Sequence, residues 1–166
     1  MSPWLTPKFL RKYLHVLSKV ANMFYPFEYR KLGDFTYHVI TNPNDIRAHV
    51  MKWVMLEWES DHAQAPDEHW TVEWMNALPH MEFALEIVEL KDVHPRADLM
   101  RVNQFQMELK ERADEREEAI LRGISIEPLL VNRNVFELMD GYTRYTVLKR
   151  YNQNKIYAYV GDVLNR

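Results

Sequence analysis

The sequence predicts an α+β protein, and three observations carry that expectation. Val135-Phe-Glu-Leu-Met-Asp-Gly-Tyr-Thr-Arg-Tyr-Thr-Val-Leu-Lys-Arg-Tyr151 reads as a strand, a tight turn and a helix. Phe136, Leu138 and Met139 form a short apolar run, Asp140-Gly141 is a turn dipeptide, and Val147, Leu148 and Tyr151 fall at helical spacing. Asp34 to Ile40 alternates as a half-buried strand does. Several other stretches have helical period, and no repeat, low-complexity tract or flexible linker interrupts them.

Taken in order, Trp4 to Phe24 is expected to be a helix, with Leu5, Phe9, Tyr13, Val16, Val20 and Phe24 on one side and Lys8, Arg11, Lys12 and Lys19 largely elsewhere. That stripe is read as packing, within the chain or against a second copy in a homodimer, ahead of a membrane surface. After the Asp34 strand, Asn42-Pro-Asn-Asp45 is a turn able to cap the next helix, from about Ile46 to Ser60, with Val50, Trp53, Val54 and Trp58 apolar. Its partner after Pro66 carries Trp70 and Trp74, four apart and therefore expected on one face, giving a helical hairpin. His62, Asp67, Glu68 and His69 crowd the joint, but their spacing matches no metal-ligand pattern and a solvated, helix-capping loop explains them. Asp98 to Arg122 reads as one charged helix with Leu109, Ala113, Ile120 and Leu121 as a sparse apolar line.

Composition sets the outer limits. The chain of 166 residues is long enough for one well-cored domain, and five Trp, nine Tyr and seven Phe suit a packed interior. Without Cys there is no disulfide scaffold, which agrees with a reducing cytoplasm. No apolar run approaches the roughly 18 residues that span a bilayer. Met1-Ser-Pro-Trp-Leu-Thr-Pro-Lys8 lacks a signal peptide's apolar core. The net charge of −3 divides into +4 over residues 1–50, −8 over 51–116 and +1 over 117–166. With no basic stripe, recognition of phosphate is expected to be local rather than along a nucleic-acid backbone.

The strand–turn–helix unit supplies a candidate for that local recognition. Gly141 permits a positive φ or close approach, and the following helix turns unpaired N–H groups and its positive dipole end toward the turn. An anion is favoured there, with Thr143 offering a hydroxyl and Arg144 a planar guanidinium. The same pattern also serves as plain αβ scaffolding.

From Gly123-Ile-Ser-Ile-Glu-Pro-Leu-Leu-Val131, through the Asp140-Gly-Tyr-Thr-Arg144 turn, to Lys155-Ile-Tyr-Ala-Tyr-Val160, the order of segments resembles the ParB/sulfiredoxin superfamily. Leu85-Glu-Ile-Val-Glu-Leu-Lys-Asp-Val-His-Pro95 is similar to the family's opening strand and its Pro-bearing loop. The resemblance covers about Phe83 to Val160. It implies a small mixed sheet with flanking helices over residues 81–166, preceded by a mainly helical, Trp-rich extension over 1–80. Sulfiredoxins place their reactive Cys where Tyr142 stands, so that chemistry is excluded. Partition ParB proteins add a helix-turn-helix reader, and the chain ends about six residues after its last strand.

The turn is most similar to the Asp-Gly-His-His-Arg sequence of the free serine kinase branch. Asp140, Gly141 and Arg144 match, whereas Tyr142 and Thr143 replace both His. What the resemblance implies is an ATP- or ADP-dependent small-molecule kinase using Mg²⁺, with Gly141, Tyr142, Thr143 and Arg144 holding phosphate. Asp140 would place Mg²⁺ or the acceptor, and Asp98, in His94-Pro-Arg-Ala-Asp-Leu99, would stand where the family keeps its base. No protein-held metal site is expected. The alternatives are a DNA-associated ParB-like protein with binding or nuclease activity, using Arg144, Lys149 and Arg150, and a non-catalytic interaction module presenting the Trp-rich segment.

Overall fold

A computed structural model describes residues 26–62 and 70–163. The helix expected over Trp4–Phe24 lies outside the described residues, as do Asp67, Glu68, His69 and the side chain of His62.

The chain is α+β, as expected. Strands β1 (Glu28–Leu32) and β2 (Phe35–Val39) form an antiparallel hairpin around Gly33, which has φ +60°. β2 has the alternation read in the sequence. β1 has none, because it is largely exposed and paired on one side only, so its apolar content never announced it.

Helix α1 (Pro43–His62) begins where the turn residues direct it: Asn42 Oδ1 accepts from the amides of Asn44 (2.9 Å) and Asp45 (3.3 Å), and Pro43 opens the first turn. Its buried line is Ile46, Val50 and Val54. The helix expected after Pro66 is shorter than the sequence suggested. Thr71 caps it by accepting from Trp74 N (3.1 Å), so α2 spans only Val72–Ala77. Trp70 therefore does not share a helical face with Trp74; it is buried ahead of the helix, its indole donating to Glu57 at 2.8 Å.

A four-stranded sheet of order β3-β6-β4-β5 organises the remainder, with β3 (Met81–Glu89) antiparallel to β6 (Lys155–Val163), β6 parallel to β4 (Leu129–Asn132), and β4 antiparallel to β5 (Glu137–Asp140). Successive residues in β4, β5 and β6 enter opposite cores. Leu129, Val131, Leu138, Ala158 and Val160 join one, while Leu130, Met139 and Tyr159 join the other. Burial on both faces explains the unbroken apolar runs of β4 and β6.

The first face is covered by α4 (Asn103–Leu121) through Leu109 and Ala113 and by α5 (Tyr142–Arg150) through Val147 and Leu148. The second is covered by α1, Trp70 and Leu78. Residues on both sides of position 80 thus share both cores. β2 also joins the region ahead of β4 through His38 N to Ile126 O (3.0 Å) and Ile126 N to Thr36 O (2.9 Å).

The charged helix expected over Asp98–Arg122 is two helices, α3 (Ala97–Met100) and α4. Val102 is extended, and the Gln106 side chain donates to the Met100 carbonyl, so the ladder is broken between them. α4 carries its charges on an exposed surface, as expected, with Leu121 exposed at its end rather than packed. Among the described residues no helix is long and apolar enough to cross a membrane.

Candidate anion site at the Gly141 turn

β5 ends at Asp140, and Gly141 adopts φ +97° before α5 begins. Its carbonyl accepts from Tyr145 N at 2.8 Å, which starts the helix with its first amides directed back toward the turn. A side chain at position 141 has no room: a Cβ would stand 2.8 Å from Arg144 Nη2 and 2.8 Å from Leu129 Cδ2. Glycine is required here both for conformation and for the close approach of that guanidinium.

Arg144 leans over the turn, and the fold surrounds it with acceptors. Its Nη1 donates to the Glu127 carbonyl (3.2 Å) and stands 3.4 Å from the Glu127 carboxylate, while Nη2 is 3.9 Å from Asp140 Oδ2. The side chain is only 13% exposed. Glu127 also accepts from His49 Nε2 on α1, giving the sequence His49, Glu127, Arg144, Asp140 across four separate segments. His38 lies beside this group, sharing a 3.0 Å hydrogen bond with the Ser125 hydroxyl, and the Phe27 ring meets both imidazoles edge-on. Val50, Trp53, Val54, Pro128, Leu130 and Tyr159 complete a cleft of about 20 Å³, room for one water-sized group.

This environment shifts two pKa values. Burial pushes the Glu127 carboxyl upward, yet the His49 hydrogen bond and the charges of Arg144, His49 and His38 together outweigh it and hold the group below the ordinary glutamate value. His38 is lowered, chiefly by burial, with Arg144 and His49 adding to the effect and Glu127 opposing it. Glu127 is therefore a carboxylate in a cleft whose wall, apart from His49, Asp140, Arg144 and the Tyr159 hydroxyl, is apolar. Buried charge of this kind is expensive unless matched, which is why it is found between an imidazole and a guanidinium.

The residues singled out from the sequence divide into two groups. Asp140, Gly141 and Arg144 come together as the turn. Tyr142 and Thr143 are buried, and the Tyr142 ring packs against Phe105 (centroids 5.4 Å apart) instead of facing the cleft. Its hydroxyl donates to Leu138 O (3.1 Å) and accepts from Arg96 N (3.0 Å), and burial pushes its pKa up to about 12. Tyr142 thus braces the turn from inside. Asp98 is bound by Arg96 (2.6 Å), is 67% exposed, and does not line the cleft.

His49 and Glu127 were not singled out from the sequence. A lone His in a helix and a Glu before Pro128 carry no spacing signal; they meet only because α1 folds across the sheet. The Pro after Glu127 holds that residue extended as the chain enters β4, which is a local contribution to its aim. Among the described residues no group of three or more His, Asp or Glu is placed to hold a metal.

Fold and cleft together define an α+β protein with a small mixed sheet and a charged, partly buried cluster at a strand-to-helix turn. No protein-family model and no curated protein matches the chain. Two solved structures of a pNOB8-like ParB N-domain are similar to it, each at 19% identity over 49% of this chain with a TM-score of 0.36. The match spans 31% and 28% of those chains, less than a third of their length.

Proposed function

We propose that the protein binds a phosphate-bearing small molecule at the Gly141 turn, with an ATP- or ADP-dependent kinase as the finer reading. The observation that carries it is the placement of Arg144: a guanidinium held over a positive-φ glycine at the start of a nine-residue helix. Cation, close backbone approach and helix start converge on one point, and phosphate is the ligand whose several oxygens use all three. The similarity of Asp140-Gly-x-x-Arg144 to the kinase-branch turn supports the same reading.

Mg²⁺ fits this site only as a companion of the nucleotide, held through phosphate oxygens and one carboxylate, for which Asp140 is the nearest candidate. Asp98 would have to leave Arg96 to act as a base. Of the alternatives, DNA association has less support: Arg150 is engaged by Asp114 (2.9 Å) and Glu117 (3.5 Å), and the sequence carries no basic stripe. The interaction-module reading loses Trp70 as a surface residue, since it is core.

Thermal-shift and calorimetric titration with ATP, ADP, CTP and a short duplex DNA separates these readings, because a ligand that binds only the folded state raises its stability in proportion to ln(1 + [L]/Kd). Nucleotide with Mg²⁺ is expected to stabilise the protein, and Arg144→Ala to abolish the effect. Absence of heat with every nucleotide rejects the proposal, and salt-sensitive stabilisation by DNA alone favours the other reading.

A further inference from the structure

The cleft already contains an anion. Glu127 Oε2 stands 3.4 Å from Arg144 Nη1, in the position relative to the guanidinium that a ligand oxygen would take. The Glu127 side chain is 22% exposed, so part of it already meets solvent, whereas the wall around it combines apolar Val50, Trp53, Pro128 and Leu130 with His49 and Asp140. The remaining space, about 20 Å³, is too small for a phosphate group while that carboxylate stays. His49, donating from α1, steadies it there.

Resting on the phosphate reading above, we propose that Glu127 is a built-in competitor for the Arg144 site, which sets the class of anion admitted: a phosphate carrying two or more negative charges enters, and a single carboxylate does not. The reason is an exchange balance. A carboxylate ligand would replace one carboxylate by another, and the resident one is tethered at high effective concentration. A phosphate dianion brings more charge and more acceptor oxygens, enough to engage Arg144 and the first amides of α5 together. Because the competent state is only the fraction with Glu127 displaced, the observed affinity is reduced by that fraction.

The test is calorimetric titration of wild type, Glu127→Gln and Glu127→Asp with ADP·Mg²⁺, inorganic phosphate and acetate. Glu127→Gln keeps the shape and removes the charge; it is expected to bind ADP at least about tenfold tighter than wild type, the ratio that a 90% occupied plug implies. Glu127→Asp, one methylene shorter, is expected to fall between. Acetate should give no heat with wild type. Should Glu127→Gln misfold, the wild-type protein still decides: the Glu127 carboxyl ¹³C and Arg144 Nε ¹⁵N resonances are expected to move together and saturate at the same ADP concentration. Binding to wild type that Glu127→Gln leaves unchanged or weakens, or an Arg144 shift with Glu127 unmoved, overturns the competitor and leaves the phosphate site standing. No binding by wild type or either variant removes both.

Discussion

Gly141→Ala tests the turn most directly, because the cost can be worked from two separate sources. At φ +97° an L-residue is strained, and a left-handed backbone costs roughly 1–2 kcal/mol. The new methyl would also stand 2.8 Å from Leu129 Cδ2, and Leu129 is fully buried at the start of β4, so the packed side chain must shift. Overpacking of this kind costs about 1–3 kcal/mol. The expected loss is the sum, roughly 2–5 kcal/mol, a large share of the total for a domain of this size. With a urea slope of about 2 kcal/mol/M, the unfolding midpoint followed by circular dichroism should fall by about 1–2.5 M.

Gly33→Ala is the control. Gly33 also has positive φ, +60°, but the group its methyl would meet is the end of the Gln153 side chain, which can swing aside. Only the backbone cost remains, about 1–2 kcal/mol, together with the loosened Gln153 bonds to Asp34. If Gly141→Ala proved no more destabilising than Gly33→Ala, the close packing of Leu129 and Arg144 on the turn would be wrong.

Three further outcomes are expected. Glu127, whose folded carboxyl lies below the ordinary 4.5, contributes stability that is full above that value and is lost as the pH falls through its folded value, since the unfolded chain takes up the proton first. His38, lowered from 6.5, adds a loss of the same sign that begins below pH 6.5. Melting temperatures of wild type and Glu127→Gln should therefore draw together as the pH falls below about 4.5, and a gap that stays constant there would contradict the assignment. Tyr159→Phe removes the hydroxyl that accepts from Ile40 N (2.9 Å) in the second core, leaving a buried amide without that bond; the loss should be about 1–3 kcal/mol by chemical denaturation, and a neutral result would show that the bond contributes nothing. Trp70→Phe deletes the indole bond to Glu57 and some buried area, for an expected loss of about 1–3 kcal/mol, with the fluorescence of one buried Trp removed; a blue-shifted signal unchanged from wild type would place Trp70 in solvent instead.

The parts of the fold that were legible in sequence are those whose cause is local. Asn42 and its neighbours cap α1 within four residues, although the helix begins at Pro43 rather than about Ile46, and Asp140-Gly141 makes its turn within two. Misreadings arose where two local rules compete. Thr71 won over helical spacing and took Trp70 out of the helix, and Val102 divided a charged segment that otherwise has continuous helical character. Tyr142 stood in the turn motif and was assigned to the ligand, yet its ring direction is set by the helix start and the Phe105 pocket.

By itself the sequence determined the α+β class, the glycine at which a strand gives way to a helix, and the presence of an arginine three residues later. Its reach ended at separations that local geometry cannot span. His49 and Glu127 are 78 residues apart and Glu127 and Arg144 are 17 apart, and nothing in their neighbours' spacing points from one to another. The crossing of α1 over the sheet, driven by burial of Ile46, Val50 and Val54, brings the imidazole to the carboxylate, and the pairing of β4 with β5 brings the carboxylate to the guanidinium. Whether Arg144 met solvent, a ligand or an internal partner was thus decided by tertiary packing, because the partner of a buried charge is chosen by what the fold leaves within about 4 Å of it.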